Sequence, residues 1–153
     1  REITDRQELL DVMARCDVCR LALNDESGYP YVVPLNFGME EQDGTLYLLF
    51  HGAMTGTKYD RMERDPRATF EMDCGHQLMT AEQACSYSCA YRSIMGSGTI
   101  RELTEPQEKY EALNAIMRHM TGRNWEMTEP AVARVSVFAI RAERWTGKRS
   151  PAN

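Results

Sequence analysis

Apolar and polar residues alternate along this chain with two different periods, and the switches between them predict its elements. Ile3, Leu9, Leu10 and Met13 form one helical stripe behind Thr4-Asp5-Arg6-Gln7, where a capping side chain followed by Glu8 marks a helix start. From residue 18 the period drops to two, so 18–23 reads as a strand and 24–28 as a turn closed by Gly28. Residues 29–37 read as a second strand pairing with the first. Pro34 inside it has no N–H for a ladder, which predicts an edge or a bulge. A polar turn is expected over 39–44. A third strand follows over 45–51, with Leu46, Leu48 and Phe50 on one face and Tyr47, Leu49 and His51 on the other.

A short helix beginning at Thr55 or Thr57 runs to 64 and stops at the Asp65-Pro66 step. Residues 67–72 read as a strand, 73–84 as loop, and 86–101 as one long strand bent around Gly96 and Gly98. Thr104 as a cap and Pro106 near the first turn open a helix that stops at Gly122, with Tyr110, Leu113, Met117 and Met120 on one face. A last strand is expected over 133–145. Strands joined by short links, with helices scattered among them, lack the alternating rhythm of a parallel sheet. The prediction is an α+β, mainly β fold: one domain over 1–153, built as a six-stranded antiparallel barrel with peripheral helices.

Composition adds limits. At 153 residues, 42% hydrophobic and 27% charged, the chain is an ordinary globular one. A net charge of -5 argues against nucleic acid as a partner. No apolar run is long enough to span a bilayer and none resembles a leader, so a cytoplasmic protein without membrane contact is expected. Five cysteines is an odd number, which favours reduced thiols over a disulfide framework. Cys16 and Cys19 form a C-x-x-C, and Cys85 and Cys89 a C-x-x-x-C. Cys19 leads an apolar alternation with Leu21 and Leu23, where it acts as a small hydrophobe rather than a ligand. No carboxylate stands at ligand spacing from His51, His76 or His119, so no metal site is expected.

The chemically richest stretch is Phe50-His51-Gly52-Ala53-Met54-Thr55-Gly56-Thr57-Lys58. A strand ends on a histidine, glycines admit close backbone approach, and Thr57-Lys58 opens a helix. Backbone N–H groups, hydroxyls and one ammonium then converge as they would around a phosphate. The Walker spacing is absent, and a plain turn with a surface lysine stands as the simpler account. Met95-Gly96-Ser97-Gly98 is not a nucleophile elbow.

Three segments together carry a resemblance: 29–37 (Tyr-Pro-Tyr-Val-Val-Pro-Leu-Asn-Phe), 46–58, and 91–96 (Tyr-Arg-Ser-Ile-Met-Gly). They resemble the flavin-binding split-barrel proteins related to pyridoxamine 5′-phosphate oxidase, and within them the nitroimidazole-resistance-like proteins. The resemblance implies a split barrel and a homodimer holding FMN, with FAD as the alternative, between its subunits. It places Val33, Pro34, Leu35 and Asn36 along the flavin ring and Phe50 and His51 at its border. Thr57 and Lys58, with Thr55 beside them, fall at the phosphate, a threonine replacing the family's first basic residue. Ser93 and Trp145 are implied to reach the flavin from the partner subunit. The terminal substrate-phosphate segment of the true oxidases is not matched, which argues against pyridoxamine phosphate as substrate. His51 is implied to lie on the substrate side, where an imidazole titrating near neutrality suits a proton donor. The expected function is reduction of a small electron-poor molecule such as a nitroaromatic. A flavin carrier or sensor without turnover is the alternative, and a haem-binding relative with His51 or His119 as axial ligand a third. A barrel this small is filled by its own side chains, so a flavin is expected between two copies.

Overall fold

Period-two alternation produces one antiparallel sheet. The computed structural model describes residues 1–150, ordered β1 (Glu2–Ile3), α1 (Arg6–Arg15), β2 (Cys19–Leu23), β3 (Tyr31–Leu35), β4 (Gly38–Gln42), β5 (Thr45–Gly52), α2 (Thr57–Arg64), β6 (Arg67–Met79), β7 (Ser88–Leu103), α3 (Pro106–Thr121), α4 (Glu129–Ala133) and β8 (Ser136–Ser150). A single 3-10 turn, Ala84–Ser86, separates β6 from β7. The strands pair in the order β3-β2-β6-β7-β8-β5-β4, with β1 added beside β8. The two ends of that path, β3 and β4, are not bonded to each other, so the barrel is split rather than closed.

The expected hairpin forms, with Leu21 opposite Val33 and Arg20 opposite Pro34. Pro34 does sit on an edge strand, where its missing N–H costs no ladder bond. Asp5 caps α1, accepting from the Glu8 backbone N–H at 2.8 Å.

Four expectations are corrected. The sheet has eight strands, not six. Residues 39–44 are not a turn: Gly38–Gln42 pairs with β5, and its polar sequence is that of an edge whose outer face meets water. Residues 73–79 continue β6 rather than forming a loop: 73–74 still lie beside the β7–β8 ladder, and 77–79 run on as a ribbon with β7 that needs no apolar alternation. Thr104 does not cap α3, because the boundary falls at Glu105. The short helix α4 was also unforeseen. In α3 the buried face is Ala112, Ala115 and Ile116, while Met117 is half-buried and Met120 is 49% exposed.

Two apolar clusters flank the sheet. One fills the barrel with Leu46, Leu48 and Phe50 of β5, Leu21, Phe70, Met72, Ile94 and Ile140. The other, Leu49, Leu103, Val137 and Ala139, lies beneath α3. A β-bulge in β8 leaves Glu143 unpaired between Ala142, opposite Gly98, and Arg144, opposite Ser97. Gly96 stands where any Cβ would collide with the Phe70 ring and lie 2.6 Å from the Arg144 carbonyl oxygen. Among the described residues no helix is long and apolar enough to cross a membrane.

Candidate functional site

The end of β5 and the start of α2 are assembled by ordinary packing. Phe50 faces inward against the core at 2% exposure, so what it offers a ligand is its backbone. His51, one residue on, points to the opposite face and is exposed, opposite Val137 in β8. Gly52 returns to the inner face opposite Ser136. The chain then turns through 53–56, and Gly56 (φ 126°) precedes α2 without a side-chain cap. That backbone angle favours glycine, and the first-turn N–H groups of α2 are left without a capping acceptor.

Lys58 folds back from the first turn of α2 over Gly52, so close that a Cβ on residue 52 would strike its ammonium. Glycine at 52 is therefore what lets the lysine lie across the strand end. Burial lowers the Lys58 ammonium below its ordinary value. The His51 imidazole is also lowered, first by burial and then by the positive charge of Lys58. Beneath them the hydroxyl of Ser136, a residue 2% exposed, has no hydrogen-bond partner among the described residues. A cation with reduced hydration, unsatisfied N–H groups and a free buried hydroxyl make this strand end short of anionic oxygen acceptors.

Side-chain ties hold α2 in place against the β2–β3 hairpin. Arg61 Nε lies 2.6 Å from Asp25 Oδ1 and its guanidinium stacks 5.4 Å from the Tyr31 ring centre. Arg64 pairs with Glu26 at 3.1 Å, and the Asn24 amide donates to Asp65 at 3.0 Å. The neighbouring phenol of Tyr59 donates to Glu102 at 3.3 Å and is pushed up to about 12, chiefly by hydrogen bonding to carboxylates.

The predicted residues thus fall into three groups. His51, Thr55, Thr57 and Lys58 share one turn, with Thr55 and Thr57 exposed. The edge strand β3 brings Val33, Pro34 and Leu35 to the hairpin on which α2 rests, and the Asn36 amide donates to the Asp17 carbonyl at 3.2 Å. Ser93 and Trp145 lie apart from that turn in the single chain. Ser93 sits in β7 between Asp73 and Lys148. Trp145 packs beside the barrel core, with the Arg6 guanidinium 5.0 Å from its ring centre. Ser136 was not among the predicted residues. Its only sequence signal is a lone hydroxyl in an apolar strand.

The remaining candidates have structural places. His119 Nε2 lies 2.7 Å from the Cys16 carbonyl oxygen, and its ring rests 4.3 Å from Phe37. Cys16 and Cys19 are core residues; burial raises both thiols, Cys19 to about 12, which leaves them poor nucleophiles. Cys85 and Cys89 are exposed on the far ribbon, away from the first pair.

Comparison with known proteins agrees with this architecture. The family model described as pyridoxamine 5′-phosphate oxidase matches residues 5–149. No match was found among curated proteins. Among solved structures, a candidate 5-nitroimidazole antibiotic resistance protein from Bacteroides thetaiotaomicron is 33% identical, with a TM-score of 0.83 over 96% of this chain and 85% of its own. An FAD and haem binding protein from Mycobacterium smegmatis has a TM-score of 0.83 at 21% identity, covering 99% of this chain and 74% of its own. An FAD binding protein from the same organism has a TM-score of 0.66 at 17% identity and covers both chains fully. The last two speak to the fold alone. A model spanning nearly every described residue, together with the first of these relatives, shows that this chain belongs to the pyridoxamine 5′-phosphate oxidase family.

Proposed function

We propose that this protein binds FMN as a homodimer and reduces small, planar, electron-poor molecules such as nitroaromatics. The observation that carries the reading is the Lys58 ammonium lying across Gly52 at the uncapped start of α2, one residue beyond His51. The residues fit a flavin phosphate. Lys58 supplies charge, Thr55 and Thr57 supply hydroxyls, and the first turn of α2 supplies N–H donors. The β3 edge offers the ring an apolar border at Val33, Pro34 and Leu35. Asn36 is already tied to Asp17, which fixes the backbone there.

Flavin, when bound, supplies the electron pair. The chain's own part is to anchor the phosphate, to border the ring and to hold a proton at the His51 imidazole for delivery to the reduced substrate. Because its charged form is disfavoured, His51 is chiefly neutral near pH 7 and gives up a proton readily once it has one. Ser93 and Trp145 join this site only from a second copy, since in one chain they stand on other parts of the sheet. Val32, 56% exposed on the edge strand, gives that copy an apolar contact. The relative described as a nitroimidazole resistance protein supports the substrate class.

The deciding experiment is the absorption spectrum of the purified protein, with mass spectrometry of the small molecule released from it. FMN is expected, at one per chain. Reduced protein should be reoxidised by a nitroaromatic, without oxygen, faster than in buffer alone. Colourless protein that takes up no flavin on titration overturns the reading. A Soret band would assign haem instead, and binding without reoxidation would make the protein a carrier.

A further inference from the structure

Two thiols that the flavin reading does not use meet at the end of α1. Cys16 closes that helix, and its N–H donates to the Met13 carbonyl at 3.1 Å rather than to Val12. The Val12 carbonyl is thereby left among the orphan acceptors of a helix C-terminus. Two sulfurs take it: Cys16 Sγ donates at 3.2 Å, and Cys74 Sγ, arriving from β6, at 3.9 Å. The Cys16 thiol is raised first by burial and next by the Cys74 thiol, through its charge and a hydrogen bond, so the two groups are neighbours. The C-x-x-C in the sequence therefore conceals a different pair, because the thiol beside Cys16 comes from a distant strand.

The two differ in access. Cys16 is 1% exposed, whereas Cys74 is half-buried and lines a surface hollow of about 400 Å³ with Arg15, Asp17, Arg20, Asp73 and His76. Two of those groups are occupied with a third: Asp73 lies 2.8 Å from Arg20 and 2.9 Å from His76. Beside Cys74 the β6 register with β7 breaks before Gln77, and Gly75 takes a φ of 70°. A bulge of this kind interrupts the ladder and re-aims the side chain next to it. On the inner side the Cys16 carbonyl oxygen lies 2.7 Å from His119 Nε2, which ties the buried thiol's backbone to α3. Thiol–disulfide exchange needs this order: a reachable sulfur to open a disulfide, and a second in contact with it to release the adduct. A lone thiol would stop at the adduct, and a peroxide would need no hollow.

We propose that Cys74 and Cys16 form a dithiol site that reduces a low-molecular-weight disulfide seated in this hollow, Cys74 attacking and Cys16 resolving. The Cys74 thiolate bonds to one sulfur of R–S–S–R, whose S–S bond breaks to release RS⁻. The Cys16 sulfur then bonds to the Cys74 sulfur and displaces the second RS⁻. The protons of the two thiols end on the departing thiolates. Two electrons pass from the pair to the reagent, so two RSH leave and a Cys16–Cys74 disulfide remains. Capping Cys74 also removes its share of the rise at Cys16, so the first step eases the second.

Oxidised glutathione tests this on the folded protein, with an acid quench and non-reducing peptide mapping by mass spectrometry. Wild-type protein should yield a peptide pair linked through Cys16 and Cys74. Cys16→Ser should instead retain glutathione on Cys74, by about tenfold or more over wild type, because the resolving thiol is gone. Cys74→Ser should leave Cys16 unmodified. The exposed Cys85 and Cys89 react on their own account, and replacing both by serine should leave the Cys16–Cys74 link unchanged. If Cys16→Ser does not fold, Cys74→Ser and wild type decide the matter. Uptake of glutathione at Cys85 or Cys89 without a Cys16–Cys74 link overturns the proposal. So does a Cys16–Cys19 link, a Cys16–Cys74 link that forms only in urea, or modification of Cys16 in Cys74→Ser.

Discussion

The two ends of strand β5 make a contrast within eight residues. From Leu46 to Phe50 the strand is packed on both faces, three side chains filling the barrel and Leu49 lying beneath α3. At His51 and Gly52 the packing stops. One residue is exposed, the other has no side chain, and a lysine from the next helix takes the space. The same backbone ladder to β8 supports both ends, with Leu48 opposite Ile140 and Gly52 opposite Ser136. Close packing and unsatisfied polar groups are thereby divided along one strand. The packed end holds the geometry, and the open end leaves polar groups unsatisfied in a place that cannot drift.

That division breaks most plainly at Leu48. Leu48→Ala, at a position with no exposed surface, should cost about 2–5 kcal/mol in urea unfolding, with any flavin affinity following only the folded fraction. A cost under about 1 kcal/mol would mean the barrel interior is not close-packed. At the open end the effects should reverse. His51→Ala should leave the unfolding midpoint in place and lower nitroaromatic turnover by about a hundredfold, the low end of what a positioned proton donor contributes. Unchanged turnover would remove His51 from the chemistry. Lys58→Ala should weaken FMN by about tenfold or more and riboflavin by less than about twofold, because only FMN presents a phosphate. Equal losses would place Lys58 away from the phosphate.

The smallest effect is the most specific. A proton donor with a lowered pKa loses its proton earlier as pH rises, so turnover should fall off below the ordinary imidazole value of about 6.5. Lys58→Met removes one of the two causes and should move that limb upward, though not past the ordinary value, since burial remains. The His51 ring protons, followed by NMR, should shift in step. A limb that stays put would show that another group controls the rate.

Most of the sheet was legible because buried strands must alternate, and 18–23, 45–51 and the long run through Gly96 do so clearly. What was missed lies where burial does not write the pattern. Met39-Glu40-Glu41-Gln42 is a strand that faces water on an edge, and 73–79 continue β6 into a ribbon with β7. Tyr110, Leu113, Met117 and Met120 are the larger apolar residues expected to share a face of α3, yet smaller residues, Ala112 and Ala115, face the sheet because they allow closer approach. The candidate site is marked in the sequence at 50–58 by residue types suited to an anion, and the fold brings His51 and Lys58 to one turn. Ser136 is not, since it matters through the absence of a partner, and only the folded chain shows which partners are absent.

The unpaired Glu143 has a consequence for how this chain tolerates change. Before it, the even-numbered residues Ile140 and Ala142 face the barrel; after it, the odd-numbered Trp145 and Gly147 do, with Gly147 against Leu9 and Ile94. One extra residue thus works as a reading-frame change for the strand's two faces. Deleting Glu143 would remove the bulge and leave Ala142, Arg144 and Trp145 in regular alternation, with Trp145 and Gly147 still facing the barrel and every pairing with β7 kept. The extra residue is slack in the strand: a one-residue deletion is absorbed there by loss of the bulge, whereas a one-residue slip of the paired residues beyond it would change the solvent of every downstream side chain at once.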